Sequence, residues 1–115
     1  MTATTRANIN TLKTRIKHLN ESLADRNEQT LYLAKCLKDL HETTSHYPKT
    51  TIHNKHNKNN SPYMIHQRFI RMNHCDMLLN QDYIKEIQRL LDETHRALDA
   101  TQQQDQQDKL GCGAV

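Results

Sequence analysis

Apolar residues fall at alternating steps of three and four along the first forty positions of this chain. Ile9, Leu12, Ile16, Leu19, Leu23, Arg26, Thr30, Leu33, Leu37 and Leu40 form a heptad, with a at 9, 16, 23, 30 and 37 and d at 12, 19, 26, 33 and 40. All but Arg26 and Thr30 are Ile or Leu, the signature of a helical contact seam. Neither Gly nor Pro interrupts the run, and Thr4 or Thr5 is a candidate N-cap. A helix over about 5–42 would be roughly 55 Å long at ~1.5 Å per residue and needs another helix along it.

Helix breakers then accumulate. Thr43-Thr44-Ser45 and Tyr47-Pro48 close the first helix, and residues 44–60 read as a polar loop rich in Asn, His and Lys. Ser61-Pro62 marks the next start, with Ser as cap and Pro at the first helical position. The second helix is expected over 61–102. Ile70, Met77, Ile84, Leu91 and Leu98 occupy its a positions, with Asn73, Asn80, Ile87, Thr94 and Thr101 at d. Phe69, Tyr83, Leu90 and Ala97 form a flanking line, and Ile65, Met72 and Leu79 a shorter third one, so the apolar face is wide. Residues 103–115 read as a disordered, Gln/Asp-rich tail. The expected fold is therefore all-α. Two long amphipathic helices, 1–43 and 61–102, are joined by a polar loop as a helical hairpin or as an extended coiled coil or bundle.

Composition narrows the function. The apolar share is 35% with no Trp, below the ~45–50% of ordinary globular domains. A thick core is out of reach, and partner chains are expected to complete the apolar surface. The only glycines are Gly111 and Gly113, so residues 1–110 cannot form a Gly-rich phosphate loop or a nucleophile elbow. Cys36, Cys75 and Cys112 give no disulfide framework and favour a reducing compartment. No apolar run approaches ~18 residues, and no apolar signal-like segment follows Met1, so cytoplasmic residence is expected.

Candidate chemistry is sparse. Net charge is +3, spread as a mild gradient without a basic patch, so nucleic acid is not an expected partner. Eight histidines are present, with His53 and His56 closest to a ligand pair. They lack the paired short spacings of a structural zinc site, and no metal or other cofactor is expected. Asp82 with Glu86, and Asp92 with Glu93, read as solvated helix-face charge rather than a catalytic pair. Cys112-Gly113-Ala114-Val115 has the outline of a prenylation box but lacks its aliphatic middle. The chain is read as a non-enzyme without a small-molecule substrate.

The seam is the candidate partner-binding element: Ile9, Leu12, Ile16, Leu19, Leu23, Arg26, Leu33, Leu37, Leu40, Ile70, Met77, Ile84, Ile87, Leu91 and Leu98. Arg26 is its anomaly. A buried Arg needs a facing carboxylate or an open seam. It either fixes register and partner choice or snorkels from a partly exposed face.

Leu23 to Leu40, with Arg26-Asn27-Glu28-Gln29 inside the heptad, and Pro62 to Leu91, starting Pro62-Tyr63-Met64 and continuing through Arg68, Arg71, Met77 and Ile84, carry a resemblance. The chain resembles the snapin-like small coiled-coil subunits of the biogenesis of lysosome-related organelles complex. That resemblance implies a hetero-oligomeric assembly of coiled-coil subunits in endosomal and lysosomal trafficking, with membrane contact at most peripheral. The loop is longer and the second helix less basic than such subunits need. Two alternatives share the same seams: a kinetochore or microtubule-associated coiled-coil subunit, and a helical-hairpin chaperone.

The loop generates the first prediction. Residues 49–60 hold one large apolar side chain, Ile52, among Thr, Asn, His and Lys. Ordering costs about 1–2 kcal/mol per residue, and loop closure changes by only about 0.6 kcal/mol per doubling of length. Replacing 49–60 by a short Gly/Ser linker, with Ser61-Pro62 kept, is expected to leave complex formation within about 1 kcal/mol of native in co-expression pull-downs and thermal melts with its partners. Loss of the complex would make the loop itself a binding element.

Overall fold

Both helix starts are built on a hydroxyl cap. Thr2 Oγ1 accepts the backbone N–H of Thr5 at 3.0 Å, and Ser61 Oγ accepts that of Met64 at 3.2 Å. Each cap satisfies one of the donors that a helix start leaves orphaned. The first cap is thus Thr2, not Thr4 or Thr5, while the Ser61-Pro62 start stands where the sequence places it. The computed structural model describes residues 2–46 and 61–113, without the side chains of 110–113, and shows two helices, α1 (Ala3–Ser45) and α2 (Pro62–Gly113). No strand occurs among the described residues. The chain is all-α. Most of the expected loop (47–60) and the last two tail residues lie outside the described residues.

Both helices outrun their expected ends. Thr43 and Thr44 return their hydroxyls to the carbonyls of Asp39 and Leu40, at 2.8 and 2.6 Å, and Thr44 is buried at the next a position after Leu37. The seam therefore holds α1 together to Ser45, through residues that read as breakers. In α2 the Gln/Asp-rich stretch from 103, expected to be disordered, is helical to Gly113. It meets no Gly before 111, its Gln104 amide donates to Asp108 at 3.1 Å, and Lys109 pairs with Asp105 at 3.6 Å. Asp105 is itself buried, on the a line of Leu91 and Leu98.

The chain divides into two compact units. The first joins Met1–Asp25 to Ile84–Val115, so the start of α1 lies with the end of α2 and the two run antiparallel. Along residues 2–25 only Thr5, Ile9, Leu12, Ile16, Leu19 and Leu23 are shielded. On α2 the seam residues Ile84, Ile87, Leu91, Thr94, Leu98, Thr101 and Asp105 are shielded, with Leu90 and Gln102 at the margin. This seam is mainly aliphatic. Outside it, Arg89 bridges Glu86 and Glu93 one turn to either side. The Arg89 hydrogen bonds hold the Glu86 carboxyl below its usual range.

The second unit is Arg26–Tyr83. Here Arg26, Thr30, Leu33, Leu37, Leu40 and Thr44 of α1 are shielded, with Cys36 alone off the line. Opposite them, Tyr63, His66, Ile70, Asn73, Met77 and Asn80 of α2 continue the seam. Arg26 meets Asn80 and Tyr83, while His41 meets His74 with ring centroids 6.5 Å apart. The direction is antiparallel again.

One pair of helices shields one seam and little more. Among the described residues no large side chain is fully sealed, and the deepest apolar ones, Ile70, Ile9, Leu33 and Leu91, keep 5–8% of their surface. The flanking lines stay outside: Phe69, Tyr83, Ile65, Met72 and Leu79 are exposed, as is Ala97, and only Leu90 is half-buried. The wide apolar face of α2 is therefore not covered by α1.

This contrast sets a prediction. Leu91→Ala empties a seam position and is expected to destabilise the chain by about 2–3 kcal/mol in urea unfolding. Leu31→Ala, at a residue 73% exposed, should stay within about 0.5 kcal/mol. Equal losses at both positions would contradict the single-seam packing.

Candidate interaction surface

The middle of the chain carries a polar layer where an apolar pair would be stronger. Thr30 sits at a and Asn80 at d, so backbone periodicity points both into the seam of Arg26–Tyr83. The Asn80 amide nitrogen donates to Thr30 Oγ1 at 2.8 Å and to the Arg26 carbonyl at 3.0 Å. Thr30 Oγ1 donates back to that same carbonyl at 3.1 Å. Three groups thus close a small network across the helices. Its weak point is the Asn80 carbonyl oxygen, sealed from solvent without a partner, as is the corresponding atom of Asn73. A buried unpaired acceptor costs about 1–3 kcal/mol.

Arg26 resolves its conflict in a third way. Its backbone carbonyl joins the network, and its guanidinium leaves the seam to lie over the Tyr83 ring, 4.3 Å from the centroid. Among the described residues no ion pair forms at Arg26. The stacking keeps the cation at the half-buried margin, where the ring face replaces part of its hydration. Beside it lies a shallow recess of about 210 Å³, lined by Arg26, Gln29, Asp76, Asn80 and Tyr83 together with Leu33 and Leu79.

The two lateral faces of this unit differ in character. On the side of the His41–His74 ring contact, Asn27, Gln67 and Gln81 flank the seam. On the opposite side α2 presents Ile65, Phe69, Met72, Leu79 and Tyr83, spaced at threes, fours and sevens, with Tyr32 on α1. Tyr32 is 62% exposed, and the neighbouring Cys36 thiol raises the phenol above its usual range. All eight exposed large apolar residues, Leu31 and Leu78 included, belong to Arg26–Tyr83 among the described residues.

The predicted seam is thus brought together, but against the chain's own second helix. In the first unit that holds for Ile9, Leu12, Ile16, Leu19, Leu23, Ile84, Ile87, Leu91 and Leu98; in the second, for Leu33, Leu37, Leu40, Ile70 and Met77, with Arg26 at the margin. The surface open to another chain is the set of lines beside the seam. Sequence reasoning named those lines on α2 but did not single out Leu31, Tyr32 or Leu78. Their b and c positions were visible in the heptad, since apolar residues there have no place in a two-helix seam. Among the described residues no three His, Cys, Asp or Glu side chains group as a metal ion requires, and no helix is long and apolar enough to cross a membrane.

The polar layer predicts an asymmetric pair of substitutions. Thr30→Val leaves one Asn80 amide hydrogen without its acceptor and is expected to cost about 1–2 kcal/mol. Asn80→Leu removes the donor and the orphaned oxygen together, so the melt should be unchanged or higher. Urea titrations of both variants decide, and a neutral Thr30→Val would show that the network contributes nothing. No known protein family, curated protein or solved structure matches this chain.

Proposed function

We propose that this chain is a non-catalytic coiled-coil subunit of a hetero-oligomeric helical complex, binding other coiled-coil subunits. The observation that carries this reading is the confinement of its exposed apolar side chains to Arg26–Tyr83, once the seam is already used within the chain. Leu31 and Tyr32 on α1 and the Ile65–Tyr83 lines on α2 leave large apolar side chains exposed beside the seam, and clustered exposed apolar groups are a mark of interaction surfaces. Helices from further chains would cover them as added layers of a bundle, with other subunits on the Leu31–Tyr32 side of α1, in the way amphipathic helices bury their remaining faces.

The resemblance in Leu23–Leu40 and Pro62–Leu91 supplies the setting: trafficking at endosomes and lysosome-related organelles, by a cytoplasmic complex in peripheral membrane contact. Geometry supports the scaffold part of this reading, and the resemblance alone supports the cellular part.

Affinity purification of the tagged chain from its source cell, followed by mass spectrometry, tests both. Stoichiometric helical partners are expected, and Leu31→Glu with Tyr32→Glu should release at least one while the chain's helicity is retained. Recovery of the chain without stoichiometric partners would overturn the reading. Stoichiometric partners with no endosomal or lysosomal association would overturn the trafficking setting alone.

A further inference from the structure

The exposed line on α2 has an internal symmetry that the seam lacks. Ile65, Phe69, Met72, Asp76, Leu79 and Tyr83 follow steps of four, three, four, three and four, the spacing of a second contact line on the same helix. Its centre falls at residue 74. Beside the line, Arg68 precedes Cys75 by seven residues and Asp82 follows it by seven, so the three share one face at about two-turn intervals. All three are exposed, and among the described residues neither Arg68 nor Asp82 makes an ion pair.

We propose that this face of Arg26–Tyr83 docks a second copy of the chain, α2 against α2, antiparallel about a twofold axis near Cys75. Reversing the helix about that centre sets Phe69 opposite the partner's Leu79 and Ile65 opposite the partner's Tyr83. It also sets Arg68 opposite the partner's Asp82, twice over. An isologous interface needs a self-complementary patch: the outer layers match apolar to apolar and the flanks cation to anion, while at the centre Met72 faces the partner's Asp76.

Charge selects this arrangement over two others. A parallel, in-register pair would lay Arg68 on the partner's Arg68 and Asp82 on the partner's Asp82. Docking through α1 instead would use Glu28, Lys35 and Glu42, which share a face at the same seven-residue spacing. Reversed about Lys35, that face brings like charge onto like. Contact through α2 leaves the α1 faces apart and available to other subunits.

Sedimentation of the purified full-length chain across a concentration series tests the proposal. A monomer–dimer equilibrium is expected, and Phe69→Glu, at a 48% exposed residue, should weaken it by at least about tenfold with helicity unchanged. Arg68→Asp and Asp82→Arg should each weaken the dimer, and the doubly swapped chain should recover it. With Cys36 and Cys112 replaced by Ser, a bis-maleimide cross-linker should join two chains through Cys75. A chain that stays monomeric, a dimer indifferent to both Phe69→Glu and the charge swap, or a dimer that the reagent fails to join through Cys75 would overturn it. The subunit reading stands or falls separately, on the partners recovered from cells.

Discussion

Two helices can share only one line of contact. A side chain at an a or d position is covered by the facing helix, but nothing lies above or below it. This explains why the deepest apolar residues here keep a few per cent of their surface and why no large side chain is sealed among the described residues. It also explains why polar groups are tolerated in the seam. Arg26 escapes sideways onto Tyr83, and Asp105 reaches Lys109 on its own helix. In a thicker bundle each would need a buried counter-charge.

The seam is strongest where it is aliphatic and most specific where it is polar. Ile9, Leu12, Ile16, Leu19 and Leu23 against Ile84, Ile87, Leu91 and Leu98 supply adhesion, and sliding by one heptad would still match apolar to apolar. The Thr30–Asn80–Arg26 network does not tolerate sliding. A slip by one heptad would set the Asn80 amide against Leu23 or Leu37 and leave the hydrogen that now meets the Thr30 hydroxyl without an acceptor, at a cost of about 1–3 kcal/mol. Polar seam residues set register in coiled coils at some cost in stability. The unpaired oxygens of Asn73 and Asn80 are the visible part of that cost.

Much of this was legible in the heptad. Every seam position in α1 from Thr5 to Thr44 is shielded, and the Ser61-Pro62 start needed only cap chemistry. What escaped were effects that depend on what a residue faces. Thr43 and Thr44 look like breakers, yet their hydroxyls return to the helix carbonyls once Thr44 is held in the seam. The Gln/Asp-rich stretch looks solvated, yet Asp105 falls on the heptad and carries the helix onward. Arg26 was recognisable as an anomaly, but its outlet over Tyr83 required knowing which α2 residue stands opposite. The direction of the helices, and hence the exposure of the flanking lines, is likewise absent from periodicity.

The seam is satisfied within one chain, in antiparallel register at Thr30 and Asn80. Isotope-filtered NMR tests it most directly, on labelled chain diluted into an excess of unlabelled chain. Cross-peaks between the Asn80 side-chain amide and Thr30 should arise within the labelled chain and should not appear between labelled and unlabelled chains. Cross-peaks found only between chains, or an Asn80 amide in contact with residues other than Arg26 and Thr30, would contradict the account.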